Sequence, residues 1–261
     1  MCYGFRFDST NRNRGTLRPM RAAGATDVGQ TRAVNEDSIL LLPEAGVFAV
    51  ADGMGGHRGG KVASQMAVGE LTRVVLDSTE PFDAARLRVA VEQINQRLHE
   101  MGATTESLEG MGTTCTVISV HAGRLSVAHV GDSTLLVVRG GVANKITLDH
   151  RAVQELVDRG TLSETDAQSH PLRNLLTRSV GVEQSVEVDV FEVALQPADI
   201  LLLCSDGLSE MVAKSKIVEV LNQDPNPETA ARALVKLANE NGGLDNISVV
   251  VVRLEDSDFA R

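Results

Sequence analysis

Aromatic residues are nearly missing from this chain. It has no tryptophan, one tyrosine and an aromatic fraction of 3%, so aliphatic side chains must fill its core. Cysteine is almost as scarce: Cys2, Cys115 and Cys204 make no paired framework. Cys115 and Cys204 lie within apolar runs, where a small buried thiol is expected, and this usage fits a reducing cytoplasm. No apolar run approaches the length of a membrane span, since Ile200-Leu201-Leu202-Leu203-Cys204 stops at Ser205-Asp206. The N-terminus has no apolar central region of the kind a secretory signal carries. Positive charge is in deficit, with 25 Lys and Arg against 35 Asp and Glu and a net charge of −10. That balance argues against a general nucleic-acid or membrane-surface binder. It leaves an anionic substrate open, because bound cations reverse the local sign of an acidic site.

What is present suffices for one large domain or two small ones: 261 residues, of which 43% are hydrophobic. Residues 1–21 carry Arg6, Arg12, Arg14, Arg18 and Arg21 against the single acid Asp8. Set among Asn, Ser, Thr and Gly, they predict a disordered basic leader, with a docking tail as the functional alternative. Residues 22–255 read as one continuous domain and 256–261 as a short tail. Strands are predicted over 38–42 and 46–51. Helices are predicted over 60–76 and over 84–101, where Leu87, Val91, Ile94 and Leu98 recur at steps of three and four. A meander follows over 113–120, 125–130 and 135–139, with Ala122-Gly123 and Gly140-Gly141 as its turns, a spacing that implies antiparallel pairing. After a short helix at 151–159 and a polar stretch from Gly160 to Leu172, strands are expected over 186–193 and 200–204. Helices at 214–222 and 227–241 and a strand at 247–254 complete the pattern. Asn226-Pro227 marks the start of the last helix and Gly242 its stop. The order predicts an α+β fold, two antiparallel sheets covered by helices, rather than a parallel doubly wound sheet.

Four aspartates sit in short phrases: Asn35-Glu36-Asp37, Ala51-Asp52-Gly53-Met54-Gly55-Gly56-His57, Cys204-Ser205-Asp206-Gly207 and Gly243-Leu244-Asp245-Asn246. Three of them adjoin apolar stretches that read as buried strands. Taken singly, an Asp-Gly pair after a strand is an ordinary turn. Taken together, carboxylates at the ends of core strands repel one another unless something positive lies between them. Hard divalent cations with oxygen ligands meet that need, which points to a Mg²⁺ or Mn²⁺ hydrolase.

Further phrases occur in order between about Ala25 and Leu254: Thr26-Asp27-Val28-Gly29, Gly112-Thr113-Thr114, Gly131-Asp132-Ser133, Leu148-Asp149-His150, Leu176-Thr177-Arg178-Ser179-Val180-Gly181 and Asp245-Asn246. With the aspartate phrases, the set resembles the bacterial branch of the type-2C, metal-dependent protein serine/threonine phosphatases. The resemblance implies a central β-sandwich of two mainly antiparallel sheets flanked by helix pairs. It implies hydrolysis of phosphoserine and phosphothreonine by water activated between two Mn²⁺ or Mg²⁺ ions, without a phosphoenzyme, and a third ion in bacterial members. Asp52 would bridge the two ions, Gly53 would offer its carbonyl, and Asp206 and Asp245 would be terminal ligands. Asp132 would join Asp206 at the third ion, and Glu36 and Asp37 would hold metal-bound waters. The family's usual arginine after Gly-Asp-Ser is Thr134 here.

Arg32 is the candidate phosphate clamp, since a guanidinium fork matches two phosphate oxygens. His57 is a candidate proton donor to the leaving group, or a packing residue at the start of a helix. Residues 160–174 correspond to the family's flap, where Arg173 and Arg178 would meet phosphopeptides or solvent. The implied partners are phosphorylated proteins and a cognate serine/threonine kinase, with no nucleic acid, and the expected state is a monomer. A phosphoprotein-binding module without turnover would predict damaged ligands, whereas Asp52, Asp206 and Asp245 are all intact. Small phosphate esters remain an alternative substrate class.

Overall fold

The central strands are apolar on both faces because the two sheets lie between two layers of helices. In the computed structural model, which describes residues 18–55 and 59–259, the strands in chain order are β1 (Arg21–Asp27), β2 (Ser38–Leu42), β3 (Val47–Ala51), β4 (Gly53–Met54), β5 (Gly112–Thr113) and β6 (Cys115–His121). They continue with β7 (Arg124–Val130), β8 (Thr134–Arg139), β9 (Val142–Lys145), β10 (Asp189–Ala194), β11 (Ile200–Cys204) and β12 (Ile247–Arg253). The helices are α1 (Gly59–Asp77), α2 (Ala84–Thr104), α3 (Ala152–Asp158), α4 (Glu164–Ser169), α5 (Asp206–Ser209), α6 (Lys214–Gln223) and α7 (Pro227–Glu240).

One five-stranded sheet has the order β1-β12-β11-β8-β9 and the other β10-β7-β6-β3-β2, with β4 and β5 as a separate short pair. Strand neighbours pair antiparallel throughout. Alternation along each strand divides the core into three. On β11, Leu201 and Leu203 face the other sheet, joined there by Phe48, Val50, Val127 and Val250. Ile200, Leu202 and Cys204 face outward, to Leu221, Leu234 and Ala238 of α6 and α7. The outer face of the second sheet buries Ala49, Val117 and Ala128 against Leu71, Leu87 and Ile94 of α1 and α2. The result is the expected α-β-β-α layering.

The turns follow the sequence closely. Ala122 and Gly123 both have positive φ (48° and 70°), as do Gly140 and Gly141, which suits two-residue hairpins. Asn226 caps α7 by accepting from the Glu228 N–H at 2.9 Å.

Several elements differ from the expectation. The expected leader, 1–21, falls outside the described residues up to 17, but Met20 is buried between the sheets and Arg21 already opens β1. Ala22, Ala23, Gly24 and Ala25 carry little intrinsic strand preference, and full-length pairing with β12 overrides it. The expected tail begins with a turn, Asp256–Phe259, whose Phe259 packs against the inter-sheet core. The polar stretch after Gly160 contains α4, capped by Ser163, and the strand expected from 186 begins at Asp189. β9 and α5 have no counterpart in the expectation.

Because Leu201 is fully buried at the centre of the inter-sheet layer, Leu201→Ala should destabilise the domain by about 2–5 kcal/mol. Urea unfolding followed by circular dichroism measures this, and a loss below about 1 kcal/mol would contradict the packing described.

Candidate metal centre

Antiparallel pairing gathers the aspartates at one end of the sandwich. Ser38 at the start of β2 pairs with Ala51 at the end of β3, which sets Asp37 beside Asp52. Cys204 at the end of β11 pairs with Val249 near the start of β12, which brings Asp206 and Asp245 to the same end. The two sheets are joined there by a buried hydroxyl: Ser205 Oγ donates to Asp37 Oδ2 at 2.8 Å and accepts from the Ser248 N–H at 2.9 Å.

Asp52 is held by its backbone. The Asp52 N–H donates to Thr114 Oγ1 at 2.9 Å, and the Asp52 carbonyl accepts from the Thr114 N–H at 2.8 Å and from Thr113 Oγ1 at 2.9 Å. Gly53 has no room for a side chain: a Cβ there would stand 2.2 Å from the Gly60 carbonyl oxygen and 2.5 Å from that of Glu36. Only glycine lets the start of α1, the Glu36 backbone and the end of β3 meet this closely. Gly29, with φ +82°, fits equally tightly under Asp245, whose carbonyl oxygen would be 2.2 Å from an added Cβ.

Asn246 ties the loop of residues 28–36 to β12. Its Nδ2 donates to the Val28 and Val34 carbonyls at 2.9 and 3.0 Å, and its Oδ1 accepts from the Glu36 N–H at 2.8 Å. That anchored loop carries Arg32, whose Nη2 lies 2.8 Å from Asp245 Oδ2, with the Arg32 side chain 54% exposed. Asp132 is buried, and its Oδ2 accepts from Arg151 Nε at 2.6 Å. Arg151 also donates to Asp206 Oδ2 at 2.8 Å and to Glu210 Oε1 at 2.6 Å.

The electrostatics record the crowding. Burial, then the charges of Asp37, Asp206, Asp132 and Asp245, hold the Asp52 carboxyl well above the usual carboxylate range. Burial and the Asp132 charge do the same for Asp206. Asp37 is pushed up by burial from 3.8 to about 6, despite hydrogen bonds that favour its charged form. Burial raises Asp132 too, although the Arg151 charge pulls the other way. Burial opposes the charge on Arg151, but Asp132 and Asp206 outweigh it and raise its pKa.

The donor set suits a hard divalent cation. It is all oxygen, Asp37 Oδ1 is buried without a hydrogen-bond partner, and Gly53 gives the close backbone approach that a carbonyl ligand requires. Among the described residues no three His, Cys, Asp or Glu side chains stand close enough together to hold a metal ion by themselves. That agrees with ions such as Mg²⁺, which keep several waters and need few protein ligands.

Of the residues expected from sequence, Asp37, Asp52, Gly53, Asp206, Asp245, Asp132, Glu36 and Arg32 come together at this end. His57 lies outside the described residues. Thr134 is buried opposite Cys204, and a guanidinium reaches Asp132 from Arg151 instead. Arg178, a candidate for peptide contact, pairs with Asp189 at 2.8 Å and with Glu187 at 3.2 Å. Sequence reasoning missed Arg151, Asn246 as an organiser and Ser205 as a bridge. The only signal for Arg151 is its place directly after Leu148-Asp149-His150. His150 has a supporting role: its Nδ1 accepts from the Gly131 N–H at 3.0 Å, fixing the turn that presents Asp132.

A carboxyl whose folded pKa exceeds its unfolded one binds protons more tightly in the native state, so its contribution to stability falls as pH rises. For Asp37 the loss begins near the unfolded value of 3.8 and is complete above about 6. In EDTA, Asp37→Asn should therefore gain stability relative to wild type as pH rises from about 4 to above about 6. Melting temperatures across that window test this, and a constant or narrowing difference would contradict it.

The sequence profile of the family described as protein phosphatase 2C matches residues 29–239. Protein phosphatase PhpP of Streptococcus pneumoniae is 38% identical over 239 residues, covering 89% of this chain and 97% of that protein. Serine/threonine phosphatase stp of Listeria monocytogenes is 38% identical over 240 residues, covering 89% of this chain and 95% of that protein. The crystal structure of the Mycobacterium tuberculosis serine/threonine phosphatase PstP/Ppp matches with a TM-score of 0.84 and 39% identity, over 91% of this chain and 100% of that one. The catalytic domain of PstP in complex with 2 manganese ions matches with a TM-score of 0.83 and 37% identity, over 91% and 99% of the two chains. The chain belongs to the protein phosphatase 2C family, in the bacterial branch of the metal-dependent serine/threonine phosphatases.

Proposed function

We propose that this end of the sandwich hydrolyses phosphoserine and phosphothreonine in proteins with two divalent cations, Mn²⁺ or Mg²⁺. The observation that carries the reading is the convergence of Asp37, Asp52, Asp206 and Asp245, whose carboxyls stand within one another's fields on a fixed backbone. Asp52 would be shared between the ions, with the Gly53 carbonyl, Asp206 and Asp245 completing the protein ligands. Glu36 and Asp37 would orient water. Bound there, a pair of cations supplies the positive charge that makes water acidic enough to act as a nucleophile at neutral pH.

The chain's own groups favour attack by water rather than by a side chain. Burial pushes the thiols of Cys115 and Cys204 up to about 12, which removes the thiolate a cysteine phosphatase needs. Ser205 Oγ is buried and committed to Asp37. No covalent phosphoenzyme is then required.

Arg32 is the group to receive the phosphate. It sits on the exposed loop, and its charge is reinforced first by the hydrogen bond to Asp245 and more weakly by the charges of Asp52 and Asp206. His57 remains the candidate for protonating the leaving alkoxide. Asp132 and Asp206 are the candidate ligands of a third ion, which would meet Arg151 between them. The substrates in this reading are phosphoproteins made by a serine/threonine kinase, the compartment is the cytoplasm and the enzyme is a monomer.

Phosphate release from a phosphothreonine peptide tests the reaction. It should require Mn²⁺ or Mg²⁺ and stop in EDTA, and Asp206→Asn or Asp245→Asn should lower kcat about 100-fold or more. Metal-independent turnover, or peptide binding with no turnover under any metal, would overturn the reading. Arg32→Ala should raise KM about tenfold or more with a smaller change in kcat, as expected for a lost charge-assisted pair to phosphate. Unchanged KM in that variant would remove Arg32 from the phosphate.

A further inference from the structure

Arg151 is an unusual residue to find among metal ligands. Its side chain is only 13% exposed, and all three guanidinium nitrogens are taken: Nε by Asp132 at 2.6 Å, Nη2 by Asp206 at 2.8 Å and Nη1 by Glu210 at 2.6 Å. The three acceptors come from two parts of the chain: Asp132 from the turn after β7, and Asp206 and Glu210 from the two ends of α5. A group of three carboxylates facing one point attracts a dication, and here the point is filled by a fixed monocation instead. The backbone around Arg151 fixes its position: the residue precedes α3, pairs with Leu176 as an isolated bridge, and the next N–H donates to the Leu175 carbonyl at 2.9 Å.

We propose that Arg151 acts as a built-in cation that fills the Asp132 side of the centre and limits the enzyme to two metal ions. The proposal rests on the two-metal reading above and concerns the occupancy of the space next to it. A dication and a guanidinium cannot share that gap. Their charges repel, and ions of this kind need oxygens at about 2.0–2.1 Å in an octahedral shell. The Asp132 and Asp206 oxygens already point at nitrogens. Arg151 takes Oδ2 of Asp206, so that Asp206 would have Oδ1 left to hold one of the two ions. It also offsets part of the charge of Asp132, Asp206 and Glu210, work that a third ion would otherwise do. Lysine would not replace it, because one ammonium cannot present a planar fork to three separate acceptors.

The test counts Mn²⁺ bound to the full chain by equilibrium dialysis up to millimolar MnCl₂, with elemental analysis of the protein. Wild type should saturate at two ions per chain. Arg151→Ala should bind a third, weaker ion, and the double variant Arg151→Ala/Asp132→Asn should return to two. Asp132→Asn alone should still bind two, because in the wild type Asp132 serves the guanidinium; this variant carries the test if Arg151→Ala does not fold. A wild-type count of three, a count lowered by Asp132→Asn alone, or a folded Arg151→Ala that stays at two overturns the proposal. A wild-type count of zero overturns the two-metal reading as well, and is thereby distinguished from failure of this inference alone.

Discussion

Repulsion among carboxylates that cannot move apart is the constraint around which this molecule is organised. Asp52 is pinned through its main chain, while Asp37, Asp132, Asp206 and Asp245 are each held through a carboxylate oxygen, by Ser205, Arg151, Arg151 and the Asn246 N–H in turn. Relaxation is limited, because the acids are attached to turns and a short helix at the ends of paired strands. Asp37, Asp52 and Asp206 must then either take up protons, the direction in which burial pushes them, or meet positive charge. A folded domain is stable by only about 5–15 kcal/mol, so such a cluster is tolerable only within a large aliphatic core. The three apolar layers provide it, and they account for a core built almost without aromatics.

The two sheets serve the site differently. The sheet of β3 and β6 fixes Asp52 through Thr113 and Thr114, whose hydroxyls, with the Thr114 N–H, hold the main-chain N–H and carbonyl of Asp52. The sheet of β11 and β12 delivers Asp206 and Asp245. Ser205 joins the two sheets by reaching Asp37, and beside it Thr26 meets its cross-strand partner Ser248 at 2.8 Å and accepts from Asn35. Hydroxyls satisfied in this way lock the relative position of the sheets where apolar contact would allow slippage. Registration of the sheets and geometry of the centre are therefore one structural property.

What the sequence made legible was whatever is local. Apolar runs gave the strands, periodic Leu and Ile gave α2, Asn226-Pro227 gave the start of α7, and four Asp phrases gave the acids. What it hid depends on partners distant in the chain. Arg151 meets Asp132 and Asp206 across 19 and 55 residues, and no local pattern announces such a triple contact. Asn246 was visible as a neighbour of Asp245, but its role in holding Val28, Val34 and Glu36 appears only once β12 lies beside β1. β1 itself was hidden because Ala22-Ala23-Gly24-Ala25 is extended by pairing rather than by preference. Small residues are needed there: a Cβ on Gly24 would stand 2.6 Å from Ile39 Cδ1.

The two arginines of the centre show how one charge can do opposite jobs. Arg32 and Arg151 each place a nitrogen 2.8 Å from a metal-ligand candidate, Asp245 and Asp206 respectively. Arg32 makes one such contact on a side chain that is 54% exposed, so leaving Asp245 for a phosphate exchanges one anionic partner for another at little cost. Arg151 makes three contacts and is 13% exposed, so leaving would strand three carboxylates at once, the costly case for a buried charge network. In the reading proposed above, exposure and partner number, not residue type, separate a clamp that turns toward substrate from a cation that stays. This distinction also explains how a chain of net charge −10 handles an anionic substrate. Two of its arginines stand where the acids converge, one fixed by three carboxylates and the other placed to meet the phosphate in the proposed reading.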